Sequence, residues 1–243
     1  MRLTRIHVDA ALAPGARVAL PESAAAHLVR VLRLQPGDEC VLFNGDGRDY
    51  DARIVAIGKR SIEADVGTAR TVDNESPLRI TLLQGIARGE KMDWILQKAT
   101  ELGVASVLPV GSERSEVKLD AARADKRLAH WRSVVVSACE QSGRAWVPEV
   151  AGPQPLAAAL TALAPMPRYL LDPLATEVVA SLPATLRECV LAVGPEGGWS
   201  PRDRGQLLAA GFVGLRLGPR VLRTETAGIA AIAALQSRAG DLG

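Results

Sequence analysis

Hydrophobic positions along this chain change rhythm near residue 72, and the change divides it into two differently built parts. In the first part apolar residues come in short runs bounded by turn formers. Cys40-Val41-Leu42-Phe43 enters Asn44-Gly45-Asp46-Gly47 and leaves as Tyr50-Asp51-Ala52-Arg53-Ile54-Val55-Ala56-Ile57, the pattern of two strands across a glycine-rich hairpin. A third strand is expected over Ser61–Val66, and one helix over Ser23–Leu32, preceded by Pro21. This is a small β-rich module. The polar run Thr71-Val72-Asp73-Asn74-Glu75-Ser76-Pro77 places the boundary, giving modules 1–72 and 73–243.

Beyond it, apolar strands expected at Ile80–Gln84, Ala105–Val110, Tyr169–Leu171, Val190–Val193 and Gly214–Leu217 are separated by helical patterns. That alternation predicts an α/β fold with a mainly parallel sheet and helices on both faces. Met92, Ile95, Leu96, Ala99 and Leu102 share one helical face that ends at Gly103. Further helices are expected over 121–141, 201–210 and 224–238, the last with Ile229, Ile232, Ala233 and Leu235 as its buried stripe. The Ala/Pro-biased stretch 157–167 reads as a helix end and loop, and no repeat is visible.

Composition narrows the classes. The 243 residues are 48% hydrophobic and 23% charged, with net charge +2, as in an ordinary globular protein. No apolar window approaches the roughly 18 residues of a membrane span, so no membrane is expected. The start lacks an apolar signal core, and Cys40, Cys139 and Cys189 form no C-x-x-C pair, so a reducing cytoplasm is the expected location. Basic and acidic residues nearly cancel in every third of the chain, so nucleic acid, if bound, requires a locally arranged patch.

Most familiar catalytic signatures are missing. The chain has no phosphate-binding G-x-x-x-x-G-K-[ST] loop and no G-x-S-x-G elbow. His7, His27 and His130 have no metal-type spacing, so no metal is expected, and the cysteines read as buried side chains. Two glycine-rich strand ends stand apart. Leu191-Ala192-Val193 empties into Gly194-Pro195-Glu196-Gly197-Gly198, where glycines admit a ligand to the backbone at the carboxyl end of a strand. Glu196 would repel a pyrophosphate. Ser200-Pro201 is explained locally, as N-cap and first residue of the next helix. The second, Leu217-Gly218-Pro219-Arg220-Val221-Leu222-Arg223-Thr224-Glu225-Thr226, enters the last helix with Thr224 as natural N-cap and Glu225 in its first turn. Arg220 and Arg223 oppose that helix's positive end, a local conflict typical of functional sites.

Together these two stretches resemble the RsmE family of small-subunit ribosomal RNA methyltransferases, in the SPOUT superfamily. The resemblance extends through Arg30-Val31-Leu32-Arg33, Gly89-Glu90-Lys91-Met92, Gln97-Lys98, Glu113-Arg114, Val117-Lys118 and Ala138-Cys139-Glu140-Gln141-Ser142-Gly143-Arg144. It is weakest over 152–181. It implies a PUA-like RNA-binding β-barrel followed by a SPOUT domain with a trefoil knot, working as a homodimer. It also implies transfer of methyl from S-adenosylmethionine to N3 of one uridine in 16S rRNA of the small ribosomal subunit.

The cofactor loops implied are Leu171, the stretch Gly194, Pro195, Glu196, Gly197 and Gly198, and then Leu217, Gly218, Val221, Leu222 and Thr224. Leucines would enclose the adenine, and Glu196 is set to face the cationic part of the ligand. Uridine N3 carries a proton at neutral pH, so Arg223 is the candidate to stabilise its anion and Glu225 the nearest base, capping being an equal role for Glu225. Arg5 is a candidate to reach a partner subunit's site. Arg30, Arg33, Arg88, Lys91, Arg114, Lys118, Arg144 and Arg220 are the candidate phosphate contacts, and only eight aromatic residues are present for stacking. Ribose methylation, a noncatalytic assembly factor and a nucleotide-phosphate enzyme are the rival readings.

Overall fold

The structure, a computed structural model, describes residues 3–20, 34–58, 61–115 and 121–243. The helix expected over Ser23–Leu32 and the candidates Arg30, Arg33 and Lys118 lie outside these residues. Two compact units divide the chain: Met1–Glu75 with Cys139–Val147, and Ser76–Ala138 with Pro148–Gly243.

The first unit is a five-stranded sheet in the order β1-β3-β4-β5-β2, formed by β1 (Arg5–His7), β2 (Arg17–Leu20), β3 (Glu39–Phe43), β4 (Arg48–Ile57) and β5 (Ile62–Thr71). Strand β1 runs parallel to β3, and the other pairs are antiparallel. Alternation buries one face: Tyr50, Ala52 and Ile54 of β4 and Ile62, Ala64 and Val66 of β5 meet Ile6, Leu20 and Leu42. The expected hairpin is present. Asn44 Oδ1 accepts from Asp46 N, Gly45 and Gly47 take positive φ, and Tyr50 Oη donates to Asp46 Oδ2 at 2.6 Å.

Two cations are buried in this unit, which corrects their expected roles. Arg5 is 8% exposed; it pairs with Asp49 at 2.6 Å, donates to the carbonyls of Cys139 and Arg144, and lies over the Phe43 ring. It is a structural tie across the unit, not a group that reaches a partner's site. Arg144, expected on phosphate, is 4% exposed and its Nε donates to Glu75 at 2.9 Å. Both guanidiniums satisfy carbonyls or carboxylates that sequence separation hides.

The second unit carries β6 (Arg79–Gly85), β7 (Ser106–Gly111), β8 (Glu149–Val150), β9 (Gln154–Pro155), β10 (Arg168–Leu171), β11 (Glu188–Val193) and β12 (Val213–Leu215). They form one wholly parallel sheet in the order β12-β10-β11-β6-β7-β8, with β9 also on β7. Its helices are α1 (Glu90–Glu101), most of α2 (Ala121–Ser142), α3 (Leu156–Ala162), α4 (Pro201–Ala209) and α5 (Thr224–Ala239). Strand β12 stops at Leu215, two residues before the expected end, which frees Leu217 for the loop that follows.

Helix α1 buries Met92, Ile95, Leu96 and Ala99, and Gly103 at φ +80° ends it. Helix α5 packs on α1 and buries Gly228, Ala231, Ile232, Leu235 and Ala239, with Gly228 facing Gln84 and Val193 of the sheet; Ile229 and Ala233, expected in the stripe, are only half-buried. The buried Gln236 amide donates to the Leu102 carbonyl at the end of α1 and accepts from Ser76 Oγ. All three cysteines are buried and free, and burial raises the Cys40 thiol to about 11 and those of Cys139 and Cys189 to about 12, so none is a nucleophile. No helix among the described residues is long and apolar enough to cross a membrane.

Removing the Asp49 carboxylate strands a buried guanidinium. Asp49→Ala is expected to destabilise the first unit by about 3 kcal/mol, read as a lowered denaturant midpoint; an unchanged midpoint would show that Arg5 is held by the two carbonyls alone.

Candidate functional site

In a parallel sheet every strand delivers its carboxyl end to the same edge, and there the second unit opens a cavity of about 570 Å³. The ends of β10, β11 and β12 and the entry to α5 form its wall. Leu171, Val193, Leu215, Leu217 and Leu222 supply an apolar lining, while Lys91, Asp172, Glu196, Arg204, Arg220 and Arg223 bring charge. Every position expected to hold cofactor lines this one cavity: Leu171, residues 194–198, Leu217, Gly218, Val221, Leu222 and Thr224.

The loop after β11 has its shape for steric reasons. A Cβ on Gly85, at the end of β6, would lie 2.5 Å from Pro195 Cδ and 2.7 Å from Pro195 N, so only glycine lets the loop start this close. A Cβ on Gly194 would meet Gly198 Cα and Trp199 N at 3.2 Å, because the loop doubles back through a turn from the Pro195 carbonyl to Gly198 N. The turn then hands the chain to α4. Ser200 caps that helix and Pro201 opens it, as expected, and Asp203 completes a reciprocal capping box.

A second turn braces the first. Glu113 N donates to Asp203 Oδ2 at 3.1 Å, Glu113 accepts from Ser200 Oγ, and Arg202 pairs with its other oxygen at 3.2 Å. Arg114, expected on phosphate, instead donates to the Gly197 carbonyl at 3.1 Å, though it stays exposed.

Charges around the cavity are largely matched. Glu196 Oε1 accepts from Arg88 N at 3.0 Å and Lys91 Nζ at 3.1 Å. Burial pushes its carboxyl up, but those donors and the Lys91 charge outweigh burial and hold it below the ordinary range. Glu196, expected to face a ligand cation, is already answered by Lys91, itself an expected phosphate contact. Asp172 is similar: burial works against its charge, yet the Leu174 N–H and both Arg204 donors, at 3.0 and 2.8 Å, keep it low. Sequence reasoning missed Asp172; a carboxylate just past the end of an apolar parallel strand was the available signal.

At the entry to α5, Thr224 is the first helical residue and Arg223 the N-cap, with no side-chain cap. The expected capping role of Thr224 fails because its hydroxyl donates to the Gly194 carbonyl, tying the two loops together. Arg220 and Arg223 are exposed at the rim. Glu225 lines the cavity, and its Oε2 is buried with no hydrogen-bond partner among the described residues.

Residues 74–236 match the family described as RNA methyltransferase domain, and residues 20–67 the one described as RNA methyltransferase PUA domain. The ribosomal RNA small subunit methyltransferase E of Buchnera aphidicola (subsp. Schizaphis graminum) is 34% identical over 242 residues, 99% of this chain and 98% of that protein. The enzyme of that name from Bacillus subtilis is 30% identical over 219 residues, covering 86% of this chain and 85% of its own. Among solved structures, the small subunit methyltransferase E of Neisseria gonorrhoeae bound to S-adenosyl methionine superposes with TM-score 0.90 at 41% identity, with full coverage of both chains. A Legionella pneumophila methyltransferase in complex with the same cofactor reaches 0.95 at 36% identity, again over the whole of both chains. Similarity of this extent, carried by both units, establishes that the chain belongs to the family of ribosomal RNA small subunit methyltransferase E.

Proposed function

We propose that this chain methylates 16S rRNA of the small ribosomal subunit, moving a methyl group from S-adenosylmethionine to N3 of a uridine. The observation that carries the reading is the single cavity at the ends of β10, β11 and β12, in which all the expected cofactor positions meet. Its size lies within the few hundred to about 1,000 Å³ usual for small-ligand sites. Its donor set fits the ligand: apolar leucines for an adenine, close backbone at Gly194 and Gly197 for a ribose, and the Glu196 and Asp172 carboxylates, each shared with its Lys91 or Arg204 partner, toward a cationic group. Bound there, S-adenosylmethionine supplies an electrophilic methyl.

The protein's own residues then manage geometry and one proton. Leu171, Leu217 and Leu222 hold the adenine in a dry pocket and so fix the cofactor, and the rim arginines Arg220 and Arg223 bring the RNA phosphate and the uracil to the mouth. The N3–carbon bond forms as the methyl's bond to the sulfonium breaks, its electron pair staying on sulfur as a thioether, and the N3 proton passes to Glu225, whose Oε2 has no donor among the described residues. Arg223 offsets negative charge on the uracil oxygens. Arg88, exposed beside the cavity, joins this patch, while Arg144 is buried within the first unit.

A knotted catalytic unit and a homodimer belong to the same reading. The chain's passage from edge strand β12 past the Gly194 carbonyl into α5, and the half-buried apolar side of α5 at Ile229 and Ala233, support them. Light scattering should give about twice the 25.7 kDa chain mass.

The function is tested by incubating the protein with labelled S-adenosylmethionine and small subunits lacking base methylation, then identifying the nucleoside by mass spectrometry. The product expected is 3-methyluridine; label on a ribose would replace this reading with the ribose methyltransferase, and cofactor-independent RNA binding with no label would leave an assembly factor. Glu225→Gln should lower kcat at least about 100-fold with little change in cofactor affinity, and an unaltered kcat would remove Glu225 as the base.

Loop geometry makes a separate prediction. Gly197→Val places its Cβ 3.0 Å from Arg114 Cβ and Gly85→Ala drives into Pro195, so each should weaken S-adenosylmethionine binding by at least about tenfold in calorimetry. Wild-type affinity in both would show that the loop does not form the site. The Glu196 carboxyl is held below its ordinary value of 4.5, so its contribution is complete above that value and is lost as pH falls below it. Cofactor affinity should therefore be flat between about pH 6 and 8, and a titration in that range would assign the binding charge to another group.

A further inference from the structure

Gln84 is the last side chain before Gly85 on β6, and it is fully buried in an otherwise apolar strand end. An apolar residue of similar volume would fill that place at lower cost. Its Nε2 donates to the Gly85 carbonyl at 2.8 Å, to Thr224 Oγ1 at 3.2 Å and, at 3.5 Å, toward the Val193 carbonyl. Two carbonyl oxygens surround this nitrogen, so turning the amide round would set oxygen against oxygen. Gln84 Oε1 has no hydrogen-bond partner among the described residues. A Cβ on Gly228 would stand 3.8 Å from that oxygen, so α5 passes directly beside the amide. A buried amide with one end unanswered breaks a local rule, and such breaks concentrate where function requires them.

Donor arithmetic gives the arrangement a direction. An amide nitrogen only donates, and a hydroxyl has one proton. Thr224 Oγ1 accepts from Gln84 and therefore has its own proton to give, which it directs to the Gly194 carbonyl. The relay runs from β6 through the first residue of α5 to the first residue of the 194–198 loop. Gln84 itself does not line the cavity.

We infer that Gln84 is a positioning residue for the cofactor cavity: by orienting the Thr224 hydroxyl it holds the Gly194–Gly198 loop against the segment that enters α5. The inference rests on the reading of that cavity as the S-adenosylmethionine site. Without the amide, Thr224 is free to turn its proton elsewhere, and the two walls of the cavity lose their shared tie.

The test is calorimetry with S-adenosylmethionine on four variants of the full chain, with unfolding midpoints and steady-state kinetics in parallel. Gln84→Met keeps the volume and loses the donor, and Thr224→Val keeps the shape and loses the hydroxyl. Each should raise Kd about tenfold, while the conservative Thr224→Ser should stay within about threefold of wild type. The double variant Gln84→Met/Thr224→Val should bind no more weakly than Thr224→Val alone, because both cut one relay. In turnover the loss should appear in KM for S-adenosylmethionine, with kcat changed much less. A merely structural role would lower the midpoint and leave the affinity of the folded molecules unchanged. Wild-type affinity in Gln84→Met overturns the inference, as do fully additive losses in the double variant. If Gln84→Met does not fold, Thr224→Val against Thr224→Ser decides alone, equal affinities overturning the relay. Failure of the wild-type chain to bind S-adenosylmethionine is a different result, and it removes the site reading itself.

Discussion

The catalytic unit depends on a close backbone approach between two parallel strand ends, where Pro195 sits on Gly85 with no room for even a methyl group. Because β6 and β11 are neighbours in register up to Val193 and Gln84, that contact decides where the chain leaves the sheet. Everything on the cavity's near side follows from it. The loop must turn sharply, which sets Gly194 against Gly198, and the turn must end where Ser200 can cap α4. A larger residue at position 85 would shift the departure point and, with it, every group that the loop positions.

The cavity is therefore framed by backbone, and side chains mainly lock it. Its locks are polar and mutually dependent: Glu113 holds the cap of α4, Arg114 holds the Gly197 carbonyl, and Thr224 holds the Gly194 carbonyl. Each uses a short, directed bond between segments far apart in sequence, so each is only as good as the placement of both partners. Charged pairs at the rim serve a different purpose. Lys91 with Glu196, and Arg204 with Asp172, help to hold the carboxyls below the ordinary range at the edge of an apolar hollow, where burial pushes the other way.

Much of this was legible in the sequence where a periodic pattern is long or a strand is continuously apolar. The stripe from Met92 to Ala99, the cap at Ser200 with Pro201, and the apolar strands 80–84 and 190–193 stand where the pattern puts them. Pattern is silent on pairs made across the fold. Arg144 reads as a solvated cation because Glu75 is 69 residues away. Three-residue β1 and two-residue β8 and β9 are too short to show alternation. Thr224 has the right residue type for a cap, but a tertiary acceptor, the Gly194 carbonyl, takes its hydroxyl. The glycine loops were legible because their chemistry lies in consecutive residues; Asp172 and Gln84 were not assigned, since each acts through partners brought to it by the finished fold, Arg204 of α4 and Thr224 of α5.

That difference has a physical consequence for how the family's sites are built. Consecutive motifs such as Gly194–Gly198 specify a shape, but a shape made of glycine is entropically loose and must be restrained from outside. The restraints come from single polar residues on another turn and on a helix: Glu113 and Arg114 after β7, and Thr224 of α5. A chain carrying the glycine motif without these restraints would possess the loop's sequence and lack its geometry. The motif is thus necessary but incomplete, and the specificity of the site is distributed over residues that touch the loop and never enter the cavity, together with those that line it.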